Sequence, residues 1–396
     1  MSKVIVDEKK IEEILTRGVE DVIDREHLKK RLLAGEKLRV KLGIDPTGPR
    51  LHLGRAIALW KLRDLQDLGH QIVLIIGDFT GQLGDASDKD SQRPMKEKEE
   101  LEKNAREYKK QLNLILDVDK AEVCHNSEWL GKLNFGDVVS LAALFTVRQM
   151  LNRRNFRERD EKKQEIGLHE FLYPLMQGYD SVAIEADVET GGSDQLFNLK
   201  AGREIQRHFG QAPQDIMTYE MLYGLDGRKM STSWGNVITL LDDPQDKFGK
   251  IMSMKDQQII DYFRLATRLP LSEIKEIEKA LSADNMNPRD AKMRLAFELV
   301  KLYHGADEAQ KAETEFKKVF QQGQKPSEME RVKIRAISLD SLVQIKAAKS
   351  KGEARRLMEQ GAVKINDQKK TDWQKGVEVK RGDVIQVGPR KFFEVK

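Results

Sequence analysis

Leu38-Arg39-Val40-Lys41-Leu42-Gly43-Ile44 alternates in character and runs into Asp45-Pro46-Thr47-Gly48-Pro49, after which the chain continues Leu51-His52-Leu53-Gly54-Arg55. The first part reads as a strand closed by a turn, because Pro and Gly at those positions end a ladder. Beyond Gly54, the apolar residues Ile57, Leu59, Trp60, Leu62, Leu65 and Leu68 fall at helical spacing and stop at Gly69, a C-terminal cap. Gln71 to Ile76 follows as a nearly all-apolar strand, as expected inside a parallel sheet covered by helices on both faces. The three pieces make one β-α-β unit and decide the fold class: α/β, with a Rossmann-like parallel sheet. His52 and Gly54 fall where strand hands over to helix, and open parallel sheets bind ligands at such carboxyl ends.

Further along, 94–110 reads as a charged amphipathic helix and Phe135 to Arg159 as a second helical stretch. Val182-Ala183-Ile184 reads as a short strand before Gly191-Gly192-Ser193-Asp194-Gln195, and Asp256 to Phe320 is helical in pattern. Gln321 to Ser327 has linker composition. In the last 60 residues, Ser350-Lys351-Gly352-Glu353 is a capping box that opens a short helix ending at Gly361, with strands expected at 363–365 and 383–387.

The chain has 396 residues, enough for two or three cores, and no apolar run near the roughly 18 residues of a membrane span. Its single cysteine, Cys124, excludes an internal disulfide framework, and the N-terminus lacks the apolar core of a signal peptide. A cytoplasmic protein is therefore expected. Its net charge of +4 is unevenly spread: residues 337–396 carry 14 Lys/Arg against 8 Asp/Glu, so the remainder is slightly negative. A basic tail on a near-neutral body points to a polyanion bound at the C-terminal end.

Two separated motifs carry the chemistry. At the first, a helix N-terminus offers unpaired N–H groups and partial positive charge to a phosphate; Gly54 admits close approach, and His52 can donate to an oxygen. At the second, Gly224-Leu225-Asp226-Gly227-Arg228 leads into Lys229-Met230-Ser231-Thr232-Ser233, a glycine-bounded loop with cations and hydroxyls that can close on a polyphosphate. Either pentapeptide alone is common at a helix start or in a surface loop; together they read as two halves of one clamp. No His/Cys cluster has zinc spacing, so no protein-held metal is expected.

With these motifs in hand, the chain resembles the bacterial tyrosyl-tRNA synthetases, within class I of the aminoacyl-tRNA synthetases. Leu51 to Arg55 resembles the family's HIGH motif and Lys229 to Ser233 its KMSKS loop, while Gly43 to Thr47, Gly191 to Gln195 and Tyr173 with Gln177 and Asp180 also match. The last 60 residues resemble an S4 RNA-binding domain. The resemblance implies a catalytic domain over 1–245 with a dimer-forming insertion around 120–165, a helical anticodon-region domain over 246–322, a linker over 323–336 and the S4-like domain over 337–396. It implies a two-step reaction. L-tyrosine is activated by ATP, with Mg²⁺ on the phosphates, to tyrosyl-adenylate and pyrophosphate; the tyrosyl group then passes to the 3′-terminal adenosine of tRNA(Tyr). A homodimer is implied through Phe145 to Arg159.

Residue by residue, the resemblance implies that Tyr173, Gln177 and Asp85 hold the amino group of bound tyrosine and that Asp180 accepts its phenolic proton. Gln195 lies near the reacting carboxylate, and Lys41 stands where some relatives place a tyrosine that contacts the substrate hydroxyl. Asp45, Thr47, His52, Gly54, Gly192, Asp194, Lys229, Met230 and Ser231 belong to the ATP site, with Arg55, Thr232 and Ser233 completing the catalytic motifs. Lys349, Lys351, Arg355 and Arg356 are the expected RNA contacts. Spacing agrees for the tyrosine set: steps of four and three residues put Tyr173, Gln177 and Asp180 on one helix face, and Pro174 is tolerated in a first turn. Two positions depart from the family: Arg55 replaces a histidine, and Thr232 replaces a lysine, leaving Lys229 and Arg228 as the loop's cations. Three other readings stand beside this one: a tryptophan-specific relative, a non-catalytic RNA-binding paralogue, and a nucleotidyltransferase sharing the His-x-Gly turn.

Overall fold

A computed structural model describes residues 4–85, 97–230, 234–322, 324–325, 329–388 and 391–396. Six strands form the main sheet: β1 (Val19–Ile23), β2 (Arg39–Ile44), β3 (Gln71–Ile76), β4 (Glu122–His125), β5 (Val188–Gly192) and β6 (Asp215–Tyr219), in the order β1-β6-β5-β2-β3-β4. All neighbours run parallel except β1, which pairs antiparallel with β6 at the edge. From β2 the chain crosses to β3 and β4 on one side and later returns to β5 and β6 on the other. The sheet's topological switch point therefore lies between β2 and β5.

The β-α-β expectation holds. Helix α1 (Leu53–Asp67) begins at His52 and buries Leu53, Ala56, Ile57, Leu59, Leu62 and Leu65 against the sheet. Gly69 takes the positive φ of 94° that ends the unit, a conformation open to glycine without strain. Burial of that many aliphatic side chains, at about 1.5–3 kcal/mol each, holds the helix in place.

Two local readings differ. Val182 and Ala183 close helix α2 (Tyr173–Ala183), and Ile184 is its C-terminal cap; the strand begins at Val188. A three-residue apolar run fits the buried end of a helix as well as a strand, and here the helix continues. The stretch from Phe135 to Arg159 is three helices, Phe135–Ala142, Val147–Leu151 and Arg154–Glu161. Thr146 restarts the helix with a reciprocal capping box to Gln149, and Arg153 is extended before the third begins.

Helix α3 (Leu196–His208) packs on α2 over the sheet. Four longer helices follow between Ile259 and Phe316. One apolar core runs from Ile11 to Ala312 and includes Phe248, Tyr262 and Leu295, so these helices share the core of the sheet. A second core spans Val332 to Val395 under a five-stranded sheet. Within it, helix α4 (Lys351–Glu359) is capped by Ser350, whose side chain accepts from the Glu353 N–H, but the reciprocal half of the expected capping box differs: the Glu353 carboxylate accepts from the Lys349 N–H, not from Ser350. Among the described residues no helix is long and apolar enough to cross a membrane.

Candidate active site

A cavity of about 740 Å³ opens at the carboxyl ends of β2 and β5, the switch point of the sheet. His52, Gly54, Arg55, Lys229 and Met230 line it together with Tyr173, Gln177 and Asp180, as do Asp45, Thr47, Asp85, Gly192, Asp194 and Gln195. Residues as far apart in the chain as Asp45 and Met230 meet there because β2, β3, β5 and β6 all end at it.

The two motifs touch at Gly54. A Cβ on that residue would stand 3.1 Å from His52 Nδ1 and 3.3 Å from Met230 Sδ, so glycine is what lets the loop carrying Lys229 close onto the helix start. His52 is the N-cap of α1 but makes no capping bond with its side chain, and its Nδ1 is buried without a partner among the described residues. Burial first, then the charges of Arg55 and Lys229, push its pKa down to about 3. It is therefore a neutral imidazole at working pH, able to donate from one nitrogen.

Arg55 Nη1 donates to Tyr108 Oη at 2.9 Å, which aims a permanent cation into the cavity. Lys229 Nζ pairs with Asp194 Oδ2 at 2.9 Å, and Asn236 Nδ2 holds the loop by donating to the Lys229 carbonyl at 3.0 Å. Arg228 behaves differently from its neighbour: it pairs with Asp226, lies over the Trp234 ring at 4.8 Å and is not part of the cavity wall. Ser231, Thr232 and Ser233 lie outside the described residues.

Pro174 starts α2, and the helix turns Tyr173, Gln177 and Asp180 toward the cavity as the spacing implies. Tyr173 Oη donates to Asp45 Oδ2 at 2.8 Å, and Thr80 Oγ1 donates to Asp45 Oδ1 at 2.8 Å. Burial lifts the Asp45 carboxyl to about 6 and outweighs these two donors; burial and the adjacent acids raise the Tyr173 phenol well above its ordinary range. Asp180 is buried at the base of the cavity, where burial lifts it to about 7 against the opposing pull of Lys41 and of two donors. Those donors are Trp129 Nε1 to Oδ1 at 2.7 Å and Asn126 Nδ2 to Oδ2 at 3.3 Å. Each carboxylate oxygen keeps further lone pairs that a ligand hydroxyl can use.

An amide chain joins the remaining residues: Asn198 Nδ2 donates to Gln177 Oε1 at 3.1 Å and to Gln195 Oε1 at 3.0 Å, while Gln195 Nε2 donates to Asp85. Asp85 also lies 3.7 Å from Arg153. Gly192 admits Asp194 at close range, since a Cβ there would meet Asp194 Oδ1 at 2.5 Å.

Lys41 departs from its expected role. Its side chain is fully buried, does not line the cavity, and pairs with Glu189 at 2.9 Å, so it is a strut beneath α2 and not a contact for a substrate hydroxyl. Tyr108, Asn126, Trp129, Glu189 and Asn198 were not marked by sequence reasoning. Only their contacts single them out, and no spacing rule joins them to the motifs. Lys349, Lys351, Arg355 and Arg356 are exposed on or beside α4. Lys351 pairs with Asp340 at 2.7 Å, and Arg355 pairs with Glu359 and stacks over Trp373 at 4.3 Å. Among the described residues no three His, Cys, Asp or Glu side chains gather as a metal site. The three most exposed large apolar side chains described are Phe135 at 84%, Leu168 at 78% and Val147 at 67%, all within one stretch of 34 residues.

Residues 33–321 match the family described as tRNA synthetases class I (W and Y), and residues 315–386 match the tyrosine–tRNA ligase SYY-like C-terminal domain. The tyrosine–tRNA ligase of Moorella thermoacetica is 48% identical over 387 residues, covering 96% of this chain and 94% of its own. That of Thermotoga maritima is 48% identical over 385 residues, covering 96% of both. The crystal structure of tyrosyl-tRNA synthetase from Archaeoglobus fulgidus, complexed with L-tyrosine, superimposes with a TM-score of 0.64 at 25% identity, over 78% of this chain and all of that one.

Proposed function

The chain belongs to the class I tyrosyl-tRNA synthetases, and from that premise we propose how its cavity works as a tyrosine–tRNA ligase. The enzyme activates L-tyrosine with ATP to tyrosyl-adenylate and pyrophosphate, then transfers the tyrosyl group to the 3′-terminal adenosine of tRNA(Tyr). The observation that carries the residue assignment is Asp180, a buried acceptor at the base of the same cavity whose rim holds His52, Arg55 and Lys229.

Asp180 takes the phenolic proton of the substrate, with Trp129 and Asn126 fixing its carboxylate plane. Tyr173, Gln177 and Asp85 bind the amino group, and Gln195 lies by the carboxylate that attacks the α-phosphorus. That nucleophile is ionised at neutral pH and needs no base from the protein, so the chemistry rests on positioning and on charge placed where the pyrophosphate leaves. Arg55 and Lys229 supply that charge from opposite halves of the clamp, and neutral His52 donates to a phosphate oxygen. Gly54 and Gly192 leave room for the nucleotide, Asp194 binds its ribose once Lys229 turns to the phosphates, and Asp45, Thr47 and Met230 complete the wall. Ser231, Thr232 and Ser233 are assigned to the closing loop from the sequence motif alone.

Mg²⁺ would accompany the ATP phosphates and neutralise their charge there. The four basic residues at 349–356 grip tRNA phosphates, and their unit, 337–396, is joined through 323–336 to a catalytic part, 1–245, and an anticodon-side helical part, 246–322. Phe135, Val147 and Leu168 form the centre of a homodimer contact that extends the stretch expected from Phe145 to Arg159. The chain works in the cytoplasm, beside its tRNA. A nucleotidyltransferase would need neither Asp180 nor the C-terminal unit. Transfer of labelled tyrosine to tRNA(Tyr) by the purified chain tests the reading; charging of tRNA with tryptophan in its place would refute it.

A further inference from the structure

Lys41 on β2 and Glu189 on β5 stand opposite each other in the parallel register, so both side chains leave the sheet on one face, toward α2. Both are 0% exposed, and Nζ lies 2.9 Å from Oε1. The ammonium uses its other two donors on the Gln177 carbonyl and on Ser181 Oγ, each at 2.8 Å. Glu189 is saturated too: Oε1 also accepts from Gln177 Nε2 at 3.2 Å, and Oε2 accepts from Ser181 Oγ at 3.2 Å and from Gln214 Nε2.

A buried ion pair of this kind is rarely there for stability, since an apolar pair of similar volume does as well or better. What sets this one apart is what it holds. Every α2 group it touches belongs to Gln177 or to Ser181, the residue after Asp180. The Gln177 amide can face either of two ways, and Glu189 decides which: Nε2 toward Glu189 leaves Oε1 for Asn198, and Asn198 passes the same orientation on to Gln195. The pair's charges also face Asp180 from two strands. Lys41 favours the carboxylate and Glu189 opposes it, and Tyr173 is the titratable neighbour on α2 itself; from the segment after β4 the uncharged Asn126 and Trp129 donate to it, while Glu128 accepts from the His125 N–H.

We propose that the Lys41–Glu189 pair is the positioning element of the tyrosine pocket: Glu189 sets the direction of the Gln177 amide, and the two charges together keep Asp180 ready to accept the substrate's phenolic proton. The proposal rests on the reading of Asp180 given above. Neither residue touches substrate. They act on tyrosine affinity and on the pH range of activity through Gln177 and Asp180.

The test uses the full-length chain in tyrosine-dependent ATP–pyrophosphate exchange across pH, comparing Glu189→Gln, Lys41→Met and Asp180→Asn with the parent. Glu189→Gln keeps shape and most hydrogen bonds. It is expected to raise KM for tyrosine about tenfold, as the loss of one oriented hydrogen bond does, with KM for ATP unchanged. Its acid limb should move to lower pH by about one unit, because Lys41 then acts on Asp180 unopposed. Lys41→Met should move the limb the opposite way. Parallel losses of activity with unmoved limbs, or limbs moving in the same direction, would mean the pair is merely structural and overturn the proposal. If Lys41→Met does not fold, as its thermal melt will show, the downward shift in Glu189→Gln alone decides. Asp180→Asn separates the two levels. An unchanged tyrosine-to-phenylalanine ratio in that variant removes the underlying reading, whereas a collapsed ratio there with no effect of Glu189→Gln removes only the role of the pair.

Discussion

Asp180→Asn should do two things at once: destroy the preference for tyrosine and make the protein more stable at high pH. In the folded chain burial lifts the Asp180 carboxyl from an ordinary 3.8 to about 7. Because the folded value lies above the unfolded one, the native state binds the extra proton between them. The stability this lends is complete below about 3.8 and is lost as pH rises through about 7. The difference corresponds to an order-of-magnitude cost of about 4 kcal/mol for holding the ionised group at neutral pH and above. Asparagine never ionises and escapes that cost, but it brings one of its own. Trp129 Nε1 and Asn126 Nδ2 both donate to Asp180, one to each oxygen, so an amide NH₂ must face one of these donors. An unmet pair of that kind costs about 1–3 kcal/mol. The variant is therefore less stable than the parent in acid and more stable above about pH 7, with a crossing between. Urea unfolding of both chains from about pH 5 to about pH 8 should show the difference rising by about 3 kcal/mol, the share of the shift that lies in that window. In the same preparation, tyrosine-over-phenylalanine preference in pyrophosphate exchange should fall roughly 10- to 100-fold, the worth of a hydrogen bond to a charged acceptor. A stability difference that is flat with pH would refute the buried, charge-disfavouring environment. An unchanged preference would refute the contact with the phenol.

Lys229→Ala should lower kcat for adenylate formation by roughly 10²–10³ with a smaller change in KM, as expected for a charge used mainly in the transition state; a raised KM with kcat unchanged would make it a ground-state binder. His52 is neutral down to about pH 3, so the exchange profile between about pH 5 and pH 8 should carry no limb that disappears in His52→Asn, and such a limb would show that the imidazole titrates in use. Phe135→Asp combined with Leu168→Asp should halve the mass seen by sedimentation equilibrium while leaving far-ultraviolet dichroism intact, because both side chains are exposed in the isolated chain. A parent that is already monomeric would end the dimer assignment.

The parts of this molecule that announced themselves in sequence are those whose physics is local. The β-α-β unit around His52 needs only a strand ending in a turn, a helical stripe ending at Gly69 and one apolar strand, and all three elements appear where read, although β2 does not alternate in burial because Val40, Lys41 and Leu42 are buried in succession. Tyr173, Gln177 and Asp180 share a face because one helix carries them, and Ser350 caps α4 because its hydroxyl reaches the backbone N–H three residues on. What sequence did not disclose depends on register or on contact between distant segments. Nothing near Lys41 in the sequence points to Glu189, its partner, which is brought beside it only by the pairing of β2 with β5. Trp129 and Asn126 reach Asp180 from the short helix Ser127–Leu130 and its N-cap after β4, and Tyr108 reaches Arg55 from the helix Lys98–Leu112. Val182 to Ile184 differs for the opposite reason: its local pattern is compatible with both periods, and the helix α2 runs through it.

The central claim is that one cavity holds both a tyrosine side chain and an ATP triphosphate. Exchange of labelled pyrophosphate into ATP, measured with purified chain and Mg²⁺ and no tRNA, tests it most directly. Exchange is expected to require tyrosine and not to be supported by phenylalanine or tryptophan at equal concentration. Exchange that prefers tryptophan, or no exchange with any of the three, would contradict it.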